Sequence, residues 1–191
     1  MTNNFPKMNF VGIDGILVQF SDEIRENANS AALAFRHEVE QKNQSSILES
    51  ANSLTAAYFR IDTKIKSLDS ILNFFNEMLR EKNWYTSKLP ADRKLFKIPC
   101  VFGTELAPQF EKVIKLAGIS RSQAILEFTT TRTRVMTIGF SPGQPYAGLL
   151  SKKWDLPRLS EVSKSVPKSA LVCAIRQLII FSNSTPTGWH H

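Results

Sequence analysis

The segment Gly139–Leu150, with the sequence GFSPGQPYAGLL, constrains the fold more than any other part of the chain. Pro142-Gly143 predicts the centre of a type II turn, because proline presets φ at the first central position and glycine accepts a positive φ at the second. Pro145 lacks a backbone donor and is predicted to keep the segment out of a sheet. We therefore expect a rigid loop, either a packed corner between two strands or a surface that presents backbone amides and Tyr146 to a ligand.

Length and composition are those of an ordinary globular protein. The chain has 191 residues, of which 42% are hydrophobic and 21% charged, enough for two small domains with separate cores. No apolar run is long enough to cross a membrane, and the N-terminus lacks the basic start and apolar run of a secretory signal. Cys100 and Cys173 are predicted to be reduced, mostly buried thiols. We therefore expect a cytoplasmic protein that does not bind membranes.

The formal charge of +7 is unevenly distributed. Up to Pro90 there are ten Lys and Arg against eleven Asp and Glu, whereas from Ala91 onward there are fourteen against six. The basic residues stand singly and do not alternate with aromatic residues, so nucleic-acid binding is not predicted. A solvated surface, a basic cleft for a carboxylate or phosphate, and an acidic partner protein all remain open.

The first half of the chain predicts a small α/β domain, with two helices on one face of a mixed or antiparallel sheet. The predicted strands are Ile16–Phe20, a segment around Ile47 and Leu54–Ile61, and the predicted helices are Glu23–Lys42 and one that begins near Leu68. Ser21 or Asp22 is expected to cap the first helix, and Ser67 or Asp69 the second.

A polar stretch, Asn83–Lys94, is the predicted linker between domains 1–88 and 95–191. The second half predicts two short helices and several strands. The predicted elements are a strand at Lys97–Phe102, helices at Pro108–Ala117 and Ser120–Phe128, β-forming sequence from Thr129, and strands at Ala170–Ile175 and Leu178–Phe181. Ser120 followed by Gln123 matches a capping box.

The residue types offer few catalytic groups. The histidines are His37, His190 and His191, none at metal-ligand spacing, so no metal site and no catalytic triad is predicted. A phosphate-binding loop motif is absent from the sequence. Arg132 and Arg134 are expected on one strand face, either pointing outward or lining the mouth of a barrel that binds a carboxylate.

Several motifs together resemble a known family. The chain reads Gly139-Phe140-Ser141-Pro142-Gly143-Gln144-Pro145-Tyr146-Ala147-Gly148, then Pro157-Arg158, Val166-Pro167, Gln177 and Pro186-Thr187-Gly188-Trp189, with Gly15–Phe20 and Ile98–Gly103 upstream. In this order and spacing the motifs resemble the B subunit of the bacterial ATP-dependent 5-oxoprolinase, a family also labelled allophanate hydrolase subunit 1 or Kip-type inhibitor. The carboxyltransferase parts of urea carboxylase are similar.

The resemblance implies an α+β protein, a small α/β N-terminal domain followed by a cyclophilin-like β-barrel domain. Family members continue past the tryptophan that matches Trp189, so we expect the barrel to be incomplete at its C-terminus. The implied substrate-cleft residues are Phe140, Pro142, Gly143, Pro145, Tyr146, Gly148, Arg158, Gln177, Gly188 and Trp189. Among them Arg158 is the expected anion contact, Gln177 either binds a lactam or amide or is solvated, and Trp189 is either a core residue or a ligand wall.

The chain departs from the family at glycine positions. Family glycines are replaced by Ser169, Val172, Ile175, Arg176, Ile179 and Thr187, and Gln144 replaces an aromatic residue in the loop. Since a branched residue is strained where φ is positive, we expect the backbone path of these loops, and the ligand, to have changed.

The resemblance implies an ATP-dependent hydrolase that opens 5-oxoproline to glutamate. The chain is expected to bind no cofactor alone, with ATP used by a hetero-oligomeric complex that also contains proteins like the C and A subunits of that enzyme. An alternative is a regulatory protein of the Kip type that acts on a sensor histidine kinase. A third is a fragment of a biotin-dependent carboxyltransferase.

Overall fold

A computed structural model describes residues 5–191, which divide into two compact units between Arg93 and Lys94. Residues 1–4 lie outside the described residues. They are the first residues of the predicted N-terminal domain and of the stretch that is predicted to lack a secretory signal. Mixed helices and antiparallel sheets give the α+β class expected from the sequence.

The first unit is built on a four-stranded sheet. Its strands are β1 (Lys7–Val11), β2 (Gly15–Gln19), β3 (Ile47–Asn52) and β4 (Ala56–Ile61). The spatial order is β1-β2-β4-β3, and every neighbouring pair is antiparallel. The strands predicted at Ile16–Phe20, around Ile47 and at Leu54–Ile61 are therefore confirmed, although β4 begins two residues later than predicted.

Two helices, α1 (Glu26–Gln41) and α2 (Leu68–Glu81), share one core with the sheet. Ile16 pairs with Phe59, and the alternation of strand side chains puts both on the buried face. The rings of Phe35 and Phe75 meet edge to face with centroids 5.5 Å apart. Both helices thus cover the same face, as their apolar spacing predicts.

The predicted caps are right for one helix and wrong for the other. Ser67 accepts a hydrogen bond from the backbone N–H of Ser70 and caps α2. By contrast, α1 begins at Glu26 without a side-chain cap, because the Ser21 hydroxyl accepts the N–H of Glu23 at 3.1 Å in a turn before the helix.

The start of the predicted linker belongs to the core of the first unit. Trp84–Thr86 is a 3-10 helix in which Trp84 is buried and its indole N–H donates to Met78 O at 3.2 Å. The Tyr85 hydroxyl donates to Phe20 O at 2.7 Å. The polar composition of Asn83–Lys94 does not indicate that Trp84 and Tyr85 attach this stretch to the core.

The second unit has two helices and six strands. These are α3 (Phe110–Ala117), α4 (Arg121–Thr130), β5 (Arg134–Ile138), β6 (Pro145–Gly148), β7 (Ser163–Val166), β8 (Leu171–Ala174), β9 (Gln177–Ile180) and β10 (Thr185–Thr187), with a 3-10 helix at Lys152–Trp154. One antiparallel sheet has the order β5-β6-β9-β8, and β7 and β10 form a separate antiparallel ribbon. The Ser120–Gln123 capping box of α4 is confirmed.

The four-stranded sheet of this unit is covered on both faces. Cys173 and Leu178 face α3 and α4 and pack in a cluster that contains Phe110 and Trp154. Their strand neighbours Val172 and Ile179 point the other way, into a cluster with Trp189 and the ribbon residue Val166. Two small cores therefore lie on opposite sides of one sheet.

Three local predictions in this unit are wrong. Lys97–Phe102 forms no regular element and pairs with no strand among the described residues, and Pro99 lacks a backbone donor there. Thr129 and Thr130 belong to α4 and not to a strand, and their hydroxyls donate to backbone carbonyls one turn back in that helix. The strand β5 begins only at Arg134, so Arg132 lies before it and the two arginines share no strand face. Pro145 does enter the sheet, as the first residue of β6, a position where a missing donor is tolerated.

The strand pairing of residues 5–191 does not close into a barrel. β5 and β8 are the edges of the four-stranded sheet, which is therefore open. Within these residues no helix combines the length and the apolar character needed to span a bilayer.

Candidate functional site

The Gly139–Leu150 segment forms the hairpin between β5 and β6. The N–H of Gln144 donates to Ser141 O at 3.1 Å, and Gly143 has a φ of +71°, as expected for the predicted type II turn. The Ser182 hydroxyl donates to Pro142 O at 2.9 Å and fixes the turn from the other side. The segment thus joins two paired strands through an ordered turn, as both predicted alternatives require.

The tip of this hairpin is exposed. Phe140 is 75% exposed with a φ of +67°, and Pro142 and Gly143 are also exposed. These three predicted cleft residues therefore form an outward-facing surface.

Gly148 lies in a close-packed part of β6. Its partner across β6 and β9 is Gln177. A Cβ on Gly148 would lie in ordinary contact with Gln177 Cγ at 3.5 Å but only 3.2 Å from the Met136 sulfur, so the Met136 side chain would have to shift by a few tenths of an ångström.

Gln177 carries the most unusual polar group of the unit. It is 1% exposed, and neither its Oε1 nor its Nε2 has a hydrogen-bond partner in the described part of the chain. Leaving a buried polar group unpaired costs about 1–3 kcal/mol. A carboxamide offers one acceptor and two donor hydrogens, which complement the N–H and C=O of a cyclic amide, but the side chain is sealed from solvent in this conformation.

An aromatic–cationic group lies on the same sheet face. The rings of Tyr146 and Trp189 meet edge to face with centroids 5.8 Å apart. The exposed guanidinium of Arg158 lies over the Trp189 ring, 5.8 Å from its centroid. Gly188 O accepts the N–H of Leu159 at 2.6 Å and ties this end of the chain to the Arg158 loop. A positive charge is thus held over the ring of the buried Trp189, beside the partly buried Tyr146.

The ten predicted residues therefore fall into three groups. The hairpin tip holds Phe140, Pro142 and Gly143, the strand interior holds Pro145, Gly148 and Gln177, and the aromatic–cationic group holds Tyr146, Arg158, Gly188 and Trp189. Tyr146 and Gly148 stand two residues apart in β6 and lie on one sheet face with Gln177, so members of the last two groups meet there.

A family model for the carboxyltransferase domain, subdomain C and D, matches residues 6–191. The chain belongs to this carboxyltransferase C/D family. It is 27% identical to the 5-oxoprolinase B subunit of Bacillus subtilis (strain 168) over 94% of this chain and 78% of that protein. It is 28% identical to the 5-oxoprolinase B subunit of Escherichia coli O157:H7 over 58% of this chain and 51% of that protein.

Among solved structures, the crystal structure of TTHA0988 matches with a TM-score of 0.72 at 24% identity. The match covers 92% of this chain and 33% of that one, so the chain spans about a third of its length. At this identity the likeness shows the fold.

Three of the replaced glycine positions keep a left-handed backbone in this C/D domain. Ser169, Ile175 and Arg176 have φ values of +67°, +43° and +63°. Ile175 and Arg176 form the two-residue turn between β8 and β9, and two positive φ values are what such a turn requires. The left-handed backbone at these three positions is of the kind that glycine favours, so the side chains that occupy it are strained. The changed loop path and ligand stay a prediction.

The sequence reasoning missed a cavity of about 320 Å³ in the second unit. Phe102, Phe110 and Phe128 line it together with both cysteines and His190, but no predicted cleft residue does. The apolar spacing of α3 and α4 predicts that Phe110 and Phe128 face inward, but it carries no signal that a space remains beside them.

The ionisable groups with shifted pKa values serve structure in this unit. Hydrogen bonds from Lys153 and then Trp154 lower the pKa of Glu127. Burial raises the pKa of the Cys173 thiol to about 12, so the thiol stays protonated. Burial lowers the pKa of His191. Among the described residues no cluster of three or more His, Cys, Asp or Glu could hold a metal ion.

Proposed function

We propose that the chain takes the place of the B subunit in an ATP-dependent 5-oxoprolinase, where it works in the cytoplasm with partners like the C and A subunits. One observation carries this proposal: the match to the Bacillus 5-oxoprolinase protein extends over 94% of this chain and 78% of that protein. The motif residues of that match build β6 and its contact with Gln177.

The chemistry of the site supports a cyclic amide that carries a carboxylate. Arg158 offers an exposed cation beside the Tyr146–Trp189 pair, which suits the carboxylate and ring of 5-oxoproline. The substrate amide would need a polar partner, and Gln177 has unsatisfied donor and acceptor atoms on the same face. Because Gln177 is sealed from solvent, this contact requires a movement that uncovers its amide. Phosphorylating the amide requires ATP, and this sequence has no phosphate-binding loop motif, so we assign nucleotide binding to a partner protein.

The test is a reconstituted complex of this chain with C-type and A-type partner proteins, assayed for glutamate formed from 5-oxoproline and ATP. In that complex Arg158→Ala is expected to raise KM for 5-oxoproline by about ten- to a hundredfold, since a hydrogen bond to a charged group contributes about 1.5–3 kcal/mol. Arg132→Ala, a second exposed arginine of the same unit, is the matched control and should leave KM unchanged.

Two results would contradict the proposal. One is a purified single chain that hydrolyses 5-oxoproline with ATP at the rate of the complex. The other is an assembled, active complex in which Arg158→Ala and Arg132→Ala have the same KM, because the cation over Trp189 would then have no part in binding substrate.

We also propose a second function, regulatory binding of the Kip type to a sensor histidine kinase. The observation that favours it is the sealing of Gln177, at 1% exposure, together with the exposed apolar side chains of Val135, Ile138 and Phe140 along the β5 edge and the hairpin tip. Such a surface suits a protein partner and needs no open cleft.

Pull-down separates these two functions. The purified chain is challenged with a C-type partner protein and with a kinase dimerisation domain, each in parallel with Phe140→Asp. Binding to the kinase alone, lost in Phe140→Asp, supports regulation. Binding to the C-type protein alone supports the oxoprolinase complex, and failure to bind either would overturn both.

A further inference from the structure

The cavity of about 320 Å³ in the second unit has an exposed rim. Residues 99–101, Leu106 and residues 167–169 line it and are exposed, whereas Phe110 and Cys173 line it from the buried core. Burial raises the pKa of the Cys173 thiol to about 12, so this part of the lining is uncharged at neutral pH. The cavity is therefore an apolar space that the surface can reach.

The chain segment that leads into this rim exposes further apolar side chains. Leu95, Phe96, Ile98 and Val101 are each more than half exposed. Single exposed apolar residues are ordinary on a protein surface, but a group of them beside an apolar cavity is typical of a contact site for another molecule.

The backbone of this segment is also without partners. Among the described residues, residues 95–102 form no hydrogen bond from backbone to backbone. Ile98, Val101 and Phe102 are residue types that favour strands, and Pro99 disfavours a helical conformation of the residue before it. A peptide in an extended conformation can pair with such a segment, as in the addition of a strand.

The charges near the cavity favour an acidic occupant. Lys168 lines the cavity, and the exposed Lys97 lies two residues before the rim residue Pro99. On the acidic side the exposed Glu105 stands next to the rim. From Ala91 onward the chain has fourteen Lys and Arg against six Asp and Glu, so a second copy would bring like charges together. A partner of opposite charge is favoured over self-association.

We propose that this cavity and its rim bind an extended, acidic segment of another protein, which inserts one large apolar side chain into the cavity. The backbone of the bound segment would pair with residues 95–102, and its carboxylates would face Lys97 and Lys168. The volume lies at the lower end of the range for ligand pockets, about 300–1,000 Å³, and suits one side chain of the size of leucine or phenylalanine. This site is independent of the proposed oxoprolinase cleft, because no motif residue lines it.

The test begins with a library of random peptides displayed on phage and selected on the immobilised full chain. We expect the enriched peptides to carry one leucine, isoleucine or phenylalanine flanked by aspartate or glutamate. A synthetic copy of the most enriched peptide is then titrated into the chain by calorimetry. Its affinity should fall as the salt concentration rises, because salt screens the attraction between exposed charges.

Two pairs of variants locate the binding site. Leu106→Asp is expected to weaken binding about tenfold, because a charge replaces an apolar contact at the rim. Its matched control is Leu126→Asp, since Leu126 is 61% exposed, against 64% for Leu106, and does not line the cavity. Lys168→Glu should weaken binding about fivefold, whereas Lys164→Glu, also exposed but away from the cavity lining, should bind like the wild type. All four side chains are exposed, so the melting curves should stay close to that of the wild type.

The proposal is overturned if no peptide is enriched, if the enriched peptides lack acidic residues, or if Leu106→Asp and Leu126→Asp bind the peptide equally well. A dimer of the wild-type chain that is lost in Leu106→Asp, detected by analytical ultracentrifugation, would overturn it by showing that a second copy occupies the cavity. A bound peptide with the circular dichroism of a helix would overturn it as well, because the occupant would then not be extended.

Discussion

At the scale of single residues, strain is concentrated where side chains occupy left-handed backbone. Ser169 has a φ of +67° and an exposed side chain, while its N–H donates to Phe181 O at 2.7 Å. We expect Ser169→Gly to raise the free energy of unfolding by about 0.5–1 kcal/mol, because the relief of left-handed strain exceeds the extra entropy of an unfolded glycine. Urea denaturation at constant m-value measures this change.

Ser165 supplies the matched control for that change. It is also exposed and lies four positions away in β7, with no positive φ. Ser165→Gly is expected to lower the free energy of unfolding by about 0.5–1 kcal/mol, since only the entropic effect operates there. Equal effects of the two substitutions would show that the backbone conformation of Ser169 stores no strain.

At the scale of elements, Glu127 ties α4 to the 3-10 helix at Lys152–Trp154. Its carboxylate accepts from Lys153 Nζ at 2.6 Å and from Trp154 Nε1 at 2.8 Å, and these bonds lower its pKa. A lowered folded-state pKa means that the stabilisation is present above the unfolded value near 4.5 and is lost as the pH falls through the folded value. The contribution is about 0.5–1 kcal/mol for a partly exposed pair.

The variant Glu127→Gln tests how much the negative charge of Glu127 contributes to this contact. It keeps an acceptor for Trp154 and removes the charge that attracts Lys153. We expect the difference in unfolding free energy between wild type and variant to be largest near pH 7 and to shrink as the pH drops below 4.5. Denaturation curves at several pH values measure it, and a difference that grows toward acid pH would contradict the assignment.

At the scale of the whole molecule, the sequence predicts best where the pattern is local. The apolar spacing of α1 and α2, the Ser67 cap and the Ser120 capping box depend on neighbours within a few residues, and the structure confirms them. The strand expected at Lys97–Phe102 fails, because a strand exists only if another strand pairs with it, and local sequence does not encode that pairing.

The candidate site shows the same division. Spacing within the motifs was enough to single out Gly148, Gln177 and Trp189, and the fold places the first two opposite each other across β6 and β9. The sealing of the Gln177 amide and the cavity of about 320 Å³ were not predictable, because both result from how several distant segments pack. Burial and empty space are properties of the assembled core.

The domain limits 1–88 and 95–191 stay a prediction, and the core of the first unit allows a sharp test. Its fifteen buried apolar residues run from Ile16 to Trp84, so a fragment of residues 1–93 contains the whole core. We expect this fragment to unfold cooperatively on heating.

A fragment of residues 1–82 lacks Trp84 and Tyr85, which donate hydrogen bonds to Met78 O and Phe20 O. Its free energy of unfolding should be lower by about 3–5 kcal/mol, the usual effect of emptying a buried tryptophan site. Thermal unfolding of both fragments, followed by circular dichroism, tests the position of the domain boundary. Equal stabilities would show that the core ends before the polar stretch. A stable longer fragment and an unfolded shorter one would place the domain boundary after Tyr85.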